Sequence, residues 1–260
     1  MDNERVISSA AAGTESIMQA EAYTLMEDLS GTYWWYCARR EFILDVTSRF
    51  VPTSSRIIDY GCGNGDIARG LQQTGYDIVA ADIAPKSLSA CRVAGLHTVD
   101  LRKDSLQQGQ AHCLLLADVL EHIDDDVGIL THLRDTLCEA GHLIITVPAY
   151  EFLWSGEDFV SNHMRRYTCK RLTAAIREAD FEVLWSSYFN FFLFPVIVTN
   201  ILLKRILRPR EMYKSNVKPL AGWLNSLLYR VFQSERTLLH FMRFPFGGSI
   251  IVVARLRKTS

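Results

Sequence analysis

The sequence predicts an α/β protein built on a mostly parallel, seven-stranded sheet with helices on both faces. Three observations carry this expectation. Short apolar runs alternate with helix-patterned stretches of crossover length over residues 56–257. The first run passes through a glycine-rich turn straight into a helix, at Ile57-Ile58-Asp59-Tyr60-Gly61-Cys62-Gly63-Asn64-Gly65-Asp66. Acidic residues sit at the ends of these runs, where open α/β sheets place their sites.

In chain order, residues 1–50 read as a mostly helical segment containing Trp34 and Trp35. A strand over Arg56–Tyr60 leads into a helix over 66–74, and a second strand covers Asp77–Asp82. Pro85 suits the first turn of the next helix, where its missing N–H is not needed, and that helix ends near Gly95. A short strand at 97–99 precedes 113–117, a continuous apolar run suited to a strand covered on both faces. Val127, Leu130, Leu133 and Leu137 share a helical face, which predicts a helix over 124–138 before a buried strand at 141–147. Leu172, Ala175, Ile176 and Ala179 define a helix over 170–179, and strands at 181–187 and 249–257 complete the set. The chain divides accordingly into an N-terminal helical cap (1–50), an α/β core (51–187 and 248–260) and a helical insertion (188–247).

Composition narrows the functional classes. Of 260 residues, 48% are hydrophobic and 22% charged, as in an ordinary globular chain. A net charge of −1 argues against a globally basic nucleic-acid binder. That average conceals an asymmetry: residues 1–150 carry 21 acids and 11 bases, residues 151–260 carry 8 acids and 17 bases. The six cysteines are dispersed, without C-x-x-C or paired Cys/His spacing, so a reducing compartment and no metal site are expected. Met1-Asp2-Asn3-Glu4 is acidic and no apolar stretch follows it, so a secretory signal is not expected and the location expected is cytoplasmic.

In the glycine-rich turn, glycines at i, i+2 and i+4 let the backbone turn tightly and let a ligand approach it. Asp82 ends the second strand, where a carboxylate can accept hydrogen bonds from two ribose hydroxyls. A dinucleotide dehydrogenase would instead present G-x-G-x-x-G. Asp59-Tyr-Gly-Cys-Gly-Asn-Gly65, Asp82-Ile83 and Asp118-Val-Leu-Glu-His-Ile-Asp124, in this order, resemble class I S-adenosylmethionine-dependent methyltransferases of Rossmann-like fold. The subgroup resembled is the small-molecule type, which includes quinone-biosynthesis enzymes. The resemblance covers Trp34 to Ser187 and the last strand, and leaves the insertion unexplained. It implies S-adenosylmethionine as cofactor, with Gly61, Cys62, Gly63 and Gly65 along its methionine part and Asp59 near its amino group. It also implies Ile83 and Asp100 at the adenine, a backbone N–H from Leu101, and Asp118 facing the methyl donor. Arg39 and Arg40 are candidate cations for the cofactor carboxylate or helix caps.

Methyl transfer needs an acceptor in line with the C–S bond and, for a hydroxyl, a group that takes its proton. His122, after the fourth strand, and His163, after the fifth, are the candidate bases, beside Asp118. The stretch His163-Met-Arg165-Arg166-Tyr167 resembles the H-x-R-R-Y segment of bacterial methyltransferases acting on glycan or lipid-linked substrates. Arg165, Arg166, Tyr167 and Trp154 are therefore candidate acceptor contacts, the arginines suiting an anionic group unless they pair with Asp124-Asp125-Asp126.

Residues 191–203 are largely apolar, interrupted by Pro195, Thr199 and Asn200, and too short to cross a bilayer; Lys204, Arg205, Arg208, Arg210, Lys214 and Lys218 follow, against Glu211 alone. This pattern suits peripheral contact through 188–218 with the inner face of a membrane, or else a lid or homodimer interface. The expected function is methyl transfer to a small-molecule or lipid-linked acceptor. The alternative is a non-catalytic cofactor-binding scaffold that uses the insertion to hold a partner. A nucleic-acid methyltransferase is not expected, because Asp118-Val-Leu-Glu121 stands where an N/D-P-P-Y/F/W tetrad would be.

Overall fold

The computed structural model describes residues 29–215 and 217–257. Residues 1–28, the first part of the expected helical cap, lie outside them. In order come α1 (Trp34–Phe50), β1 (Arg56–Tyr60), α2 (Asp66–Gln73), β2 (Asp77–Asp82), α3 (Pro85–Val93), β3 (His97–Asp100) and β4 (Ala111–Ala117). Then follow α4 (Asp126–Arg134), β5 (Leu137–Pro148), α5 (Gly156–Val160), α6 (Cys169–Glu178), β6 (Phe181–Phe189), α7 (Phe194–Leu207), α8 (Gly222–Leu238) and β7 (Ser249–Leu256).

The strands form one seven-stranded sheet in the order β3-β2-β1-β4-β5-β7-β6. Alternate strand residues separate into two cores, as a period of two demands. Ile57, Ile78, Ala80, Cys113, Leu115, Ile144, Ile251 and Val253 pack with Phe42, Ile67 and Leu71 of α1 and α2. Ile58, Val79, Leu114, Leu116, Ile145 and Val252 pack with Leu130, Leu172 and Ile176 of α4 and α6. Covering both faces explains the continuous apolar runs.

The sheet is seven-stranded and mostly parallel, as expected, with β7 alone running antiparallel to its neighbours β5 and β6. One expected boundary is corrected. The helix expected over 124–138 ends at Arg134, and Leu137 and Cys138 start β5, with Ala111 paired to Leu137. Leu137 kept the helical spacing only because that spacing also carries an apolar residue back into the same core. The insertion contributes α7 and α8, and α8 does not stand apart: its Phe232 shares a core with Phe42 and Phe189. Their rings lie 4.7–6.2 Å apart, with Trp35 stacked on Phe189 at 6.2 Å. This aromatic cluster fixes α1 across the sheet and delivers Arg39 to the carboxyl edge.

Candidate functional site

After β1 the chain turns through the glycine-rich loop, which the neighbouring strand holds. The N–H groups of Gly61 and Cys62 donate to the Ala81 carbonyl at 2.8 and 3.2 Å. Gly63 N–H donates to Asp82 Oδ2 at 2.9 Å, and Ala84 N–H to Asp82 Oδ1 at 2.7 Å. Gly61 and Gly65 have φ of +74° and +76°; a Cβ would stand 2.6 Å from Val119 Cγ2 and 2.7 Å from Cys91 Sγ. No side chain fits either position, so the loop presents bare backbone. Cys62 Sγ lies 3.6 Å from Cys91 Sγ beneath the loop.

Asp59 is 1% exposed, and its Oδ2 has no partner. Burial raises its carboxyl to about 7, with Arg39 opposing and Asp82 adding to the rise. A buried, unpartnered acceptor under a glycine turn suits a cationic amino group, which would supply the missing hydrogen bond. Asp82 is also raised by burial, while the N–H groups of Ala84, Gly63 and Ile83 oppose the rise.

Asp118 follows β4 in a left-handed conformation, φ +58°, which an Asp tolerates better than a bulky residue and which marks a constrained position. Its Oδ1 accepts from Thr146 Oγ1 at 3.0 Å, and its Oδ2 pairs with Arg39 Nη2 at 2.7 Å. Arg40, one residue on, turns to Asp66 at 2.8 Å. Of the two candidate arginines, Arg39 is the one beside Asp118. At the β3 tip Arg102 grips Asp100 through two nitrogens, at 2.9 and 2.7 Å, and these bonds hold its carboxyl down at about 2. The expected free donor at Leu101 is corrected: its N–H already donates to the Asp82 carbonyl at 3.0 Å.

A second group assembles beyond β4 and β5. The His122 and His163 rings meet edge to face at 4.8 Å. His163 Nδ1 lies 2.8 Å from Asp158 Oδ1. Arg166 binds the same carboxylate with Nε and Nη2, both at 2.8 Å, and Ser155 N–H donates to it at 2.7 Å. Burial would raise Asp158, but His163 and Arg166 hold it at about 2. An ionised Asp158 only accepts, so Nδ1 is the ring nitrogen that donates to it, and Nε2 is the nitrogen turned away from Asp158. Nε2 lies 3.9 Å from Glu121 Oε1, beyond hydrogen-bond reach. Glu121 is wholly buried, and both its oxygens, like His122 Nδ1, lack partners. Burial, then Asp118, pushes Glu121 well above the usual carboxylate range; burial lowers His122 to about 4. Ligand atoms of Glu121, His122 and His163 all lie within 4.8 Å of one another, a grouping able to hold a metal ion.

Three candidate acceptor contacts are placed elsewhere. Arg166 is committed to Asp158 and to the Ala149 carbonyl at 3.1 Å. Arg165 pairs with Asp124 at 3.1 Å and Asp126 at 3.5 Å, the acidic run weighed as its alternative. Tyr167 is wholly buried, its hydroxyl 2.9 Å from Asp126 Oδ2. Each is taken up by protein partners, so none is free to bind an anionic group. Trp154 lies after β5, its carbonyl accepting from Arg205 Nη2 at 2.9 Å and its ring against Phe159. Glu121 and Asp158 were missed in the sequence; Glu121 adjoins His122 there and Asp158 stands five residues before His163, the only available signal.

A glycine loop and acidic strand tips on the carboxyl edge of a mostly parallel sheet are the arrangement of Rossmann-like cofactor-binding proteins. The family profile described as a methyltransferase domain matches residues 34–185, more than half of the chain. The chain belongs to that family, the class I S-adenosylmethionine-dependent methyltransferases. Ubiquinone biosynthesis O-methyltransferase of Xylella fastidiosa is 28% identical over 132 residues, 45% of this chain and 54% of that protein. Its namesake from Cereibacter sphaeroides is 30% identical over 113 residues, 40% and 45% of the two chains. The chain thus spans about half the length of the curated relatives it matches. A solved S-adenosylmethionine-dependent methyltransferase from Archaeoglobus fulgidus shares the fold with a TM-score of 0.51 at 15% identity, covering 83% of this chain and 94% of that one. Haemonchus contortus phosphoethanolamine N-methyltransferase 2, solved with S-adenosyl-L-methionine, does so at 0.52 and 14%, covering 84% and 52%.

Proposed function

We propose that this protein methylates a hydroxyl oxygen on a small-molecule or lipid-linked acceptor, with S-adenosylmethionine as donor. The observation that carries the reading is the unpartnered, buried Asp59 Oδ2 beneath the glycine loop. Asp59 takes the cofactor's amino group, residues 61–65 offer backbone to its methionine part, and Asp82 takes its ribose hydroxyls. Ile83 lies against the adenine. Arg39, anchored on Asp118, stands ready for the carboxylate. Bound there, the cofactor supplies an electrophilic methyl on a sulfonium centre.

His163 Nε2 accepts the proton of the attacking hydroxyl, and Asp158 on Nδ1 stabilises the resulting imidazolium. Arg166 acts through Asp158 as a positioning residue. The oxygen–methyl bond forms as the methyl–sulfur bond breaks, leaving a neutral thioether. Residues 51–187 with 248–257 carry this chemistry, residues 29–50 cap it, and 188–247 seat the acceptor and meet the inner face of a membrane. The relatives named ubiquinone biosynthesis O-methyltransferase support methyl transfer to oxygen.

The unpartnered oxygens of Glu121 and Nδ1 of His122 favour a second reading of the histidine site. There Glu121, His122 and His163 hold a divalent cation that lowers the pKa of the acceptor hydroxyl.

Calorimetry with S-adenosylmethionine, followed by transfer of labelled methyl to hydroxyl-bearing small molecules and lipid extracts, tests the function. Binding with transfer is expected. Binding without transfer to any fraction would leave a cofactor-binding scaffold, and no binding would refute both.

A further inference from the structure

Soluble helices turn apolar residues inward, and α7 does so only in part. Leu193 and Ile201 are buried, but Val196, Leu202, Leu203, Ile206 and Leu207 are exposed, the last two at 77% and 70%. Val196, Leu203 and Leu207 follow at steps of seven and four and so share one line of the helix, broken by the exposed Asn200, with Leu202 and Ile206 along its flank beside Thr199. An aromatic patch lies at the N-terminal end of α7. The Phe152, Phe194 and Phe246 rings follow at 6.4 and 5.3 Å, and Phe191 joins Phe246 to Phe192 at 4.6 and 5.4 Å. Phe152, Phe192 and Phe246 are all exposed.

Charge decides what covers this face. Residues 194–210 contain Lys204, Arg205, Arg208 and Arg210 and no acid. An exposed, largely apolar stripe with a basic cluster toward its C-terminal end and exposed aromatic rings near its N-terminal end matches the boundary between acyl chains and anionic head groups. The 14 residues of α7 span about 21 Å, short of a bilayer core. No helix among the described residues is long and apolar enough to cross a membrane, so α7 suits lying in the interface plane.

The face also adjoins the candidate site. Phe194 packs against Tyr150 at 5.9 Å, and Arg205 donates to the Trp154 carbonyl. Both partners lie in the segment that joins β5 to α5, the helix that carries Asp158.

We propose that the exposed face of α7, with Phe152, Phe192 and Phe246, is a docking surface for an anionic lipid bilayer, from which a lipid-linked acceptor reaches the site. The inference rests on the methyltransferase reading for the acceptor's role, but not for the docking itself.

The test is flotation of the full chain with phosphatidylcholine vesicles, with and without phosphatidylglycerol, at low and high salt. Binding that requires phosphatidylglycerol and weakens with salt is expected. Arg208→Gln with Arg210→Gln should lower partitioning roughly 30-fold, at about 1 kcal/mol per cation. Ile206→Glu with Leu207→Glu, both on exposed positions, should abolish it while leaving the thermal unfolding midpoint and cofactor affinity unchanged. Absence of flotation, equal binding to neutral vesicles, or binding indifferent to the α7 variants would overturn the proposal. A concentration-dependent dimer lost in the Ile206→Glu, Leu207→Glu variant, without flotation, would assign the face to a second copy and overturn it too. Cofactor calorimetry on the same preparation separates the outcomes. Failed flotation with intact cofactor binding refutes the surface alone, and failed cofactor binding refutes the enzymatic reading alone.

Discussion

If Asp59 receives the cofactor's amino group, binding must be linked to protons. Its carboxyl is raised to about 7 by burial, so at pH 7 about half of the free protein holds a proton there. An ammonium docking on Oδ2 requires the carboxylate, so complex formation at pH 7 expels about half a proton. Against this, the cofactor amine, with an α-amino pKa near 8, takes up about 0.1. The net release of about 0.4 is measurable by calorimetry in buffers of different ionisation enthalpy. At pH 5.5 only about 3% of Asp59 is ionised, so affinity should fall about 16-fold relative to pH 7. Asp59→Asn should bind weakly with the release abolished. The same shift has a stability consequence of the opposite sign to that of a salt-bridged acid. Between about pH 4 and 7 the unfolded chain has lost a proton that the folded chain keeps, so stability falls with rising pH by up to about 1.4 kcal/mol per unit, and levels above 7. Affinity that is flat from pH 5.5 to 8, with no buffer dependence of the enthalpy, would refute the assignment of Asp59.

Asp82→Ala leaves the Gly63 and Ala84 N–H groups without their acceptor and removes the ribose contact. A loss of about 2–4 kcal/mol in cofactor binding is expected by calorimetry, and a loss under tenfold would count against the ribose role. Arg166→Ala strands the buried Asp158 carboxylate and should cost about 3–5 kcal/mol in urea unfolding. Arg165→Ala next to it breaks a pair whose Asp124 is 90% exposed and should cost within about 1 kcal/mol. Chelator treatment distinguishes the two readings of the histidine site. Activity that survives it supports His163 as base, whereas activity lost and restored by a divalent cation, with cation binding abolished in Glu121→Gln, supports the metal.

Much of the glycine-loop side of the candidate site was legible because it is local. The turn after β1 needs glycines within five residues of Asp59, and the acid at the β2 tip ends its own strand, so neighbours in sequence are neighbours in space. Strand positions were legible for a related reason: burial on both faces leaves continuous apolar runs. The direction of β7 was not, since an apolar run looks the same paired parallel or antiparallel.

The histidine site divides along the same line. Its histidines stood out as residue types after β4 and β5, but Glu121, His122, Asp158, His163 and Arg166 come from two separated segments that meet only when β4 pairs with β5. Arg39 and Arg40 are equivalent on paper; about 100° of helical rotation separates them, and the aromatic packing of α1 under Phe189 and Phe232 selects which faces Asp118. The exposed stripe of α7 follows the same rule, because its apolar character is written in the sequence while its outward orientation depends on what the rest of the chain leaves uncovered. Residue chemistry and short-range turns are properties of consecutive residues, and the sequence by itself determined them here. Which charges meet, which stay without a partner and which apolar face is left to solvent depend on long-range packing, and only the tertiary structure decided them.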